Sequence, residues 1–143
     1  MNKEPDKRIL RFIEKHHVLT LATSNNNVPW CANCFYVYLK KGNIFIFSSD
    51  NDTRHIQEAI QQPRVSGSIM LETKIVGKIQ GIQFSGYLFP CEDEFLKQAQ
   101  KAYLTKFPYA ILTDISLWGI EITYIKMTDN RLGFGKKLIW ERN

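Results

Sequence analysis

Cysteine is scarce in this sequence, and long apolar runs are missing. Three cysteines are an odd number for a disulfide framework, and the charged stretch 1–15 lacks the apolar core of a signal peptide. We therefore expect reduced thiols and a cytoplasmic location. No apolar run approaches the roughly 20 residues that cross a bilayer, which argues against a helical membrane protein.

The charge is moderately positive and has no concentrated block. The chain carries 19 basic and 14 acidic side chains, for a net charge of +5. Such an excess suits an anionic ligand. A nucleic-acid-binding protein usually gathers its basic residues in one stripe, whereas here they are spread along the chain. Nucleic acid is therefore an unlikely partner.

Length and composition indicate one globular domain with a large sheet. The 143 residues have room for a single domain, 1–143, with its own core. Aromatic residues make up 13% of the chain and fall mostly in β-like runs, where their side chains suit half-buried pleated surfaces.

The periodicity of apolar residues predicts a mainly β protein of the α+β class. Helical spacing predicts three short helices, at residues 5–15, 53–62 and 92–106. Strands are predicted at residues 18–23, 29–39, 44–49, 65–71, 80–89 and 118–127. Most strands follow each other directly, so antiparallel pairing is favoured. The expected fold is a closed or nearly closed antiparallel barrel of about six strands with three outer helices.

The segment 44–55 combines a strand end, a polar turn and a helix start. Hydroxyl groups of Ser48, Ser49 and Thr53 precede the basic residue Arg54. The first amides of a helix and its positive dipole end attract anions, and an arginine can hold two phosphate oxygens. A phosphate site is one interpretation; a simple helix cap with a solvated arginine is the other.

The strand at residues 29–39 contains a C-x-x-C pattern, Cys31 to Cys34. Residues three apart on a strand point to opposite faces, so we reject zinc or dithiol chemistry. Both faces of the strand are mostly apolar, which predicts that each face is covered. A subunit interface, a bound aromatic ring or an outer helix would serve as the cover.

The tail at residues 130–140 is too apolar for a solvated end. Its Gly133-Phe134-Gly135-Lys136-Lys137 stretch has the spacing neither of a P-loop nor of a dinucleotide fingerprint. Either the tail folds back with Trp140 buried and Lys136 or Lys137 near a ligand cleft, or it is a final strand. The histidines show no metal-ligand spacing, and no metal site is expected.

These elements occur in a characteristic order. Leu21-Ala22-Thr23, Pro29, the turn at Gly42, Thr53-Arg54-His55 and Pro63-Arg64-Val65 together resemble the split β-barrels of the pyridoxine 5′-phosphate oxidase-like superfamily. Trp30-Cys31-Ala32-Asn33 and the stretch 130–137 are similar to its YhbP-type bacterial group. The resemblance covers residues 9–124 and implies a homodimer with FMN in the clefts between subunits.

The resemblance also implies which residues bind FMN. Those expected at the phosphate are Ser48, Ser49, Thr53, Arg54 and, where many relatives have lysine, His55. Asn33 and Cys34 match the strand under the flavin ring, and Gln80 matches a strand position that reaches the flavin from the other subunit. Ala32 stands where oxidases place a basic residue, and their C-terminal arm is not recognisable. We therefore expect a flavin-dependent oxidoreductase with an unidentified small-molecule substrate, or a non-catalytic binding module, but not pyridoxine phosphate oxidase activity.

Overall fold

The computed structural model describes residues 3–143 as one sheet with helices packed around it. Seven antiparallel strands are present: β1 Val18–Asn25, β2 Val28–Leu39, β3 Ile44–Ser48, β4 Arg64–Met70, β5 Gln80–Pro90, β6 Leu117–Asp129 and β7 Lys137–Glu141. Three α-helices accompany them: α1 Lys7–Lys15, α2 Arg54–Gln61 and α3 Asp93–Lys106. The predicted helices and strands are confirmed to within a few residues, and β7 is added.

The first six strands form a closed barrel. Their order is β3-β2-β1-β4-β5-β6, and β3 pairs in turn with β6. The long strand β6 continues past β3 and receives β7 along its second half. A bulge between Ser85 and Gly86 bends β5. The expected split barrel is confirmed.

The barrel interior is filled by aromatic and branched side chains. Four of these side chains are almost fully buried: Tyr36, Phe45, Phe47 and Phe84. The rings of Tyr36 and Phe84 both contact the ring of Phe45. The buried face of α1 closes one opening, where the Tyr36 hydroxyl donates to the Ile13 carbonyl oxygen at 2.5 Å. This dense interior leaves no internal room for a ligand, so a ligand has to lie on the outside of the barrel.

The two faces of β2 are covered unequally. Its inward side chains include the buried Cys34 and Tyr36. On the outer face, Val37 and Leu39 pack against the cluster beneath α3, so the outer helix is one of the covers. Phe35 on the same face remains 58% exposed. The prediction of a strand covered on both sides therefore holds for its second half within this chain.

The tail folds back along the barrel as β7. Trp140 is 4% exposed, and its indole N–H donates to the carbonyl oxygen of Lys3 at 2.5 Å. The next residue but one, Arg142, donates to carbonyl oxygens of Ile122 and Gly42 at 2.8 and 2.6 Å. The burial of Trp140 is confirmed. The tail is a final strand, as the alternative proposed, but it does not close the barrel, because β3 and β6 already pair.

Candidate functional site

The first turn of α2 presents backbone amides that no side chain caps. Thr53 occupies the N-cap position, but its hydroxyl donates to the carbonyl oxygen of Asp50 at 2.8 Å and makes no capping hydrogen bond to the helix. Ser49 lies beside this turn and is held by two backbone hydrogen bonds. Its N–H donates to the carbonyl oxygen of Ser116 at 3.1 Å, and its carbonyl oxygen accepts from the indole N–H of Trp118 at 3.1 Å. The helix start can therefore accept an anion.

His55 gathers two of the predicted hydroxyl residues around one ring nitrogen. Its Nε2 is hydrogen-bonded to the Ser49 hydroxyl and lies 3.4 Å from the Thr53 hydroxyl oxygen. Burial lowers the pKa of His55, which favours the neutral ring. The ring and the Ser49 hydroxyl are thus hydrogen-bonded to each other beside the start of α2.

Arg54 is held in a fixed position on the first turn of α2. Its Nε donates to Oε1 of Glu58 at 2.8 Å, and its guanidinium carbon lies 4.1 Å from the centre of the Trp30 ring. Glu58 is buried and accepts a second bond, from the Thr23 hydroxyl at 2.8 Å. The hydrogen bonds from Arg54 and Thr23 hold the pKa of Glu58 below its ordinary value. The two terminal nitrogens of Arg54 remain to bind an anion.

A shallow face of small polar side chains lies on the outside of the barrel next to Asn33. Register pairs Thr20 with Ser68, and Ser66 with Ser85. Two clefts of about 410 Å³ each open over these strands. The Thr20 hydroxyl donates to Oδ1 of Asn33 at 2.7 Å. Because the amide oxygen of Asn33 already accepts this hydrogen bond, its amide N–H groups are the ones that can donate to a ligand on this face.

Cys34 faces the core, opposite to Asn33. Its side chain is 5% exposed, and burial raises the pKa of the thiol to about 11. Cys31, by contrast, is exposed. The thiol of Cys34 is therefore out of reach of a ligand on the outer face, and only its backbone can contribute there.

Gln80 and Lys136 lie at the other end of the barrel from Ser48. Ser48 pairs with Leu117 at the start of β6, whereas Gln80 pairs with Asp129 at its end. The carbonyl of Lys136 accepts from the N–H of Asp129 at 3.3 Å. The two groups therefore lie at opposite ends of the 13-residue strand β6. Within one chain, the structure brings Ser49, Thr53 and His55 together next to Arg54, with Ser48 at the end of β3, and leaves Gln80 and Lys136 remote.

Three residues at this site were not identified from the sequence: Thr23, Trp30 and Glu58. The four-residue spacing of Arg54 and Glu58 on a predicted helix is a readable signal for an ion pair. The contact of Arg54 with Trp30 joins α2 to a strand that precedes it by two elements. Only the tertiary structure shows this contact.

Residues 3–143 contain neither a cluster of metal-ligating side chains nor a membrane-spanning helix. No group of three or more histidine, cysteine, aspartate or glutamate side chains in this range is placed to hold a metal ion. No helix in this range is long and apolar enough to cross a membrane.

Bacterial proteins of nearly the same length are similar to this chain. A UPF0306 protein of Photorhabdus laumondii is 39% identical over 143 residues, spanning 99% of this chain and 100% of the relative. The UPF0306 protein YhbP of Escherichia coli is 39% identical over 135 residues, spanning 94% of this chain and 92% of the relative. No protein-family model matches the sequence.

Solved structures with low sequence identity share the fold. A heme binding protein from Mycobacterium smegmatis has a TM-score of 0.74 at 19% identity, covering 91% of this chain and 57% of that one. A FAD-binding protein from Mesorhizobium loti has a TM-score of 0.68 at 14% identity, covering 84% and 91%. A putative pyridoxamine 5′-phosphate oxidase from Listeria innocua has a TM-score of 0.67 at 16% identity, covering 85% and 96%. At these identities the likeness concerns the fold alone.

Proposed function

The chain belongs to the UPF0306 family of bacterial proteins, and from that premise we propose that it binds FMN and acts as a flavin-dependent oxidoreductase on a small molecule. The observation that carries this proposal is the uncapped start of α2 beside the clamped guanidinium of Arg54. An anion at this position would meet backbone N–H groups, a hydroxyl and two arginine nitrogens together.

The residues present fit a flavin phosphate. In this proposal, the first amides of α2 and the terminal nitrogens of Arg54 hold the phosphate, and His55 keeps the Ser49 hydroxyl turned toward it. The small side chains of β1, β4 and β5 leave a flat surface beside Asn33, where an aromatic ring has space. Asn33 offers its amide N–H groups to a carbonyl or nitrogen of that ring. When bound, flavin supplies hydride or electron transfer, and the protein supplies position and polarity.

We further propose that the working unit is a homodimer. Phe35 is a large apolar side chain, 58% exposed, on the outer face of the same strand as Asn33. An interface there would remove it from water and would enclose the open face where the ring would lie. It would also allow Gln80 or Lys136 of a second copy to approach the site that they cannot reach within one chain.

An absorbance titration tests the proposal directly. Purified protein is titrated with FMN and, separately, with riboflavin, and bound flavin is measured after gel filtration. We expect one FMN per chain with a shifted flavin absorbance band, and weaker binding of riboflavin because it lacks the phosphate. Anaerobic addition of NADH or NADPH should then reduce bound FMN faster than FMN in solution. FMN that elutes separately from the protein, with an unshifted spectrum, contradicts the proposal.

A non-catalytic binding module is the second candidate. It is favoured by the likeness to the heme binding protein from Mycobacterium smegmatis, since the same fold there is associated with binding. In this case the protein would hold flavin or another flat ligand without accelerating its reduction. Equal reduction rates for bound and unbound FMN would select this candidate. A Soret band after addition of hemin, with no flavin bound, would replace FMN by heme as the ligand.

A further inference from the structure

We propose that a basic cleft between α1 and the far ends of β5 and β6 is a second anion site, which binds the phosphate group of a small molecule. The cleft has a volume of about 250 Å³. Four cationic side chains line it, Arg8, Arg11, Lys15 and Arg131, together with His16 and Gln80. Among the described residues, no carboxylate belongs to its lining. This cleft is at the Asp129 end of the 13-residue strand β6, opposite to the end that pairs with Ser48.

Two of the guanidinium groups are already oriented. Arg131 donates from Nε and Nη2 to the carboxylate of Asp129 at 3.1 and 2.9 Å, and Asp129 is 1% exposed. Arg8 donates in the same way to Asp6, at 2.9 Å for both bonds. Both arginines use Nε and Nη2 for the paired carboxylate, so the Nη1 group of each can bind a ligand. A guanidinium held on one edge loses little freedom when its other edge binds phosphate, so the site is preorganised.

Arg11 and Lys15 bring positive charge to the cleft that no carboxylate of residues 3–143 pairs with, whereas Arg8 is paired with Asp6. Arg8, Arg11 and Lys15 follow each other at spacings of three and four residues, which places them along one side of the helix. Arg11 and Lys15 have no ion pair or side-chain hydrogen bond in the described part of the chain. Like charges at these spacings repel each other and destabilise the helix. A bound phosphate, with its two negative charges, would turn this repulsion into attraction.

His16 and Gln80 complete the cleft with polar groups that are not permanently charged. Nδ1 of His16 lies 2.8 Å from the carbonyl oxygen of Phe12, and a carbonyl only accepts, so Nδ1 carries the hydrogen. Nε2 is therefore the nitrogen that can accept from a hydroxyl on the ligand. The ring is fixed by its contact with Phe12, with 4.1 Å between the ring centres. The Gln80 amide adds N–H donors.

The proposal is independent of flavin binding, and it is tested on the full chain by NMR. Amide shifts of ¹⁵N-labelled protein are followed during titration with inorganic phosphate and, in a second arm, with glycerol phosphate. We expect saturable shifts confined to residues 8–16 and the neighbourhood of positions 80 and 131. Tighter binding of the ester than of free phosphate identifies a phosphorylated small molecule as the ligand. Equal binding of the two narrows the ligand to inorganic phosphate.

The decisive variant is the double substitution Arg11→Gln and Lys15→Gln. Neither side chain has an ion pair or a side-chain hydrogen bond within residues 3–143, so their removal should leave folding intact and weaken phosphate binding by at least about tenfold. The matched control is Lys97→Gln with Lys101→Gln on α3, which removes the same charge at the same four-residue spacing from an exposed helix. Equal weakening in both variants would overturn the proposal, because it would reflect net charge alone.

Three further outcomes distinguish this site from the flavin site. Phosphate-induced shifts at residues 48–55 instead of the cleft would overturn the proposal and support the start of α2. Loss of FMN binding in the double variant, with normal binding in Arg54→Ala, would move the flavin phosphate to this cleft and contradict the proposed function. Binding of a short single-stranded oligonucleotide much tighter than phosphate would replace the small-molecule ligand by nucleic acid.

Discussion

The Arg54 guanidinium lies over the Trp30 ring, with 4.1 Å between its central carbon and the ring centre. This contact joins the first residue of α2 to β2, and the ion pair with Glu58 at 2.8 Å fixes the same group from the other side. Arginine binds aromatic faces through both charge and planarity, and lysine would not reproduce this arrangement. These two contacts hold the end of a long side chain in one position.

Arg54→Ala is expected to weaken FMN binding by roughly 10- to 100-fold. The substitution removes a hydrogen bond to a charged group, and such a bond contributes about 1.5–3 kcal/mol. Riboflavin affinity should not change. The variant will also lose some stability because the buried Glu58 loses its partner. Fluorescence titration with both flavins measures the affinities, and urea unfolding measures the stability separately.

The control for this variant is Lys97→Ala, which breaks an exposed ion pair with Glu94 on α3. It should bind FMN like the unmodified protein. Equal losses of FMN and riboflavin affinity in Arg54→Ala would contradict a phosphate role and would show that Arg54 supports the fold.

The strands and helices were predictable because their apolar residues repeat with the period of each element. The proximity of Ser49, Thr53 and His55 was predictable because these residues are close in sequence and span a strand end and a helix start. The positions of the other predicted site residues depended on tertiary structure. Closure of the barrel by β3 and β6 places Gln80 and Lys136 at the opposite end from Ser48, and no local pattern contains that information.

The tail shows a different limit. Its strand, β7, has only five residues, and it follows a turn in which Gly133 and Gly135 both have positive φ angles, 131° and 71°. A short strand after such a turn has too few residues to show a clear two-residue period. The apolar content did predict the burial of Trp140, because burial depends on composition rather than on the element that provides it.

The stability of the protein should fall in acid because of Asp129. The hydrogen bond from Arg131 holds the pKa of this carboxyl below its ordinary value of 3.8. Asp129 therefore binds a proton more readily in the unfolded chain than in the folded one. Its contribution to the free energy of unfolding is complete when the pH is above the ordinary pKa, and it is lost as the pH falls toward the lowered pKa. Urea unfolding between about pH 6 and pH 3 should show a declining midpoint. Asp129→Asn should be less stable at pH 6 and show a flatter decline, whereas Asp114→Asn, in an exposed loop, should follow the unmodified protein.

Removal of the tail should destabilise the barrel. Trp140→Ala is expected to cost about 3–5 kcal/mol of unfolding free energy, because the buried ring leaves a cavity and the Lys3 carbonyl loses its donor. Truncation after Asp129 also removes the bonds from Arg142 to the hairpin turn and should cost more. Thermal unfolding with a flavin titration checks both variants. A truncated chain that stays folded but binds FMN poorly would instead assign the tail to the binding site.

The dimer is tested by placing a charge on the outer face of β2. We expect light scattering of the unmodified protein at micromolar concentration to give twice the chain mass, since a stable interface buries more than about 1,000 Å².

Phe35→Glu should give a monomer, because an unpaired carboxylate would have to be desolvated inside the interface. The matched control is Leu112→Glu, since Leu112 is 80% exposed in the short segment Pro108–Leu112 after α3 and no interface is proposed there. FMN binding should be lost with dimerisation in Phe35→Glu and kept in Leu112→Glu, because the proposed ring site is completed by the second copy. A monomeric unmodified protein that binds FMN fully would exclude the shared site and leave β2 exposed for another partner.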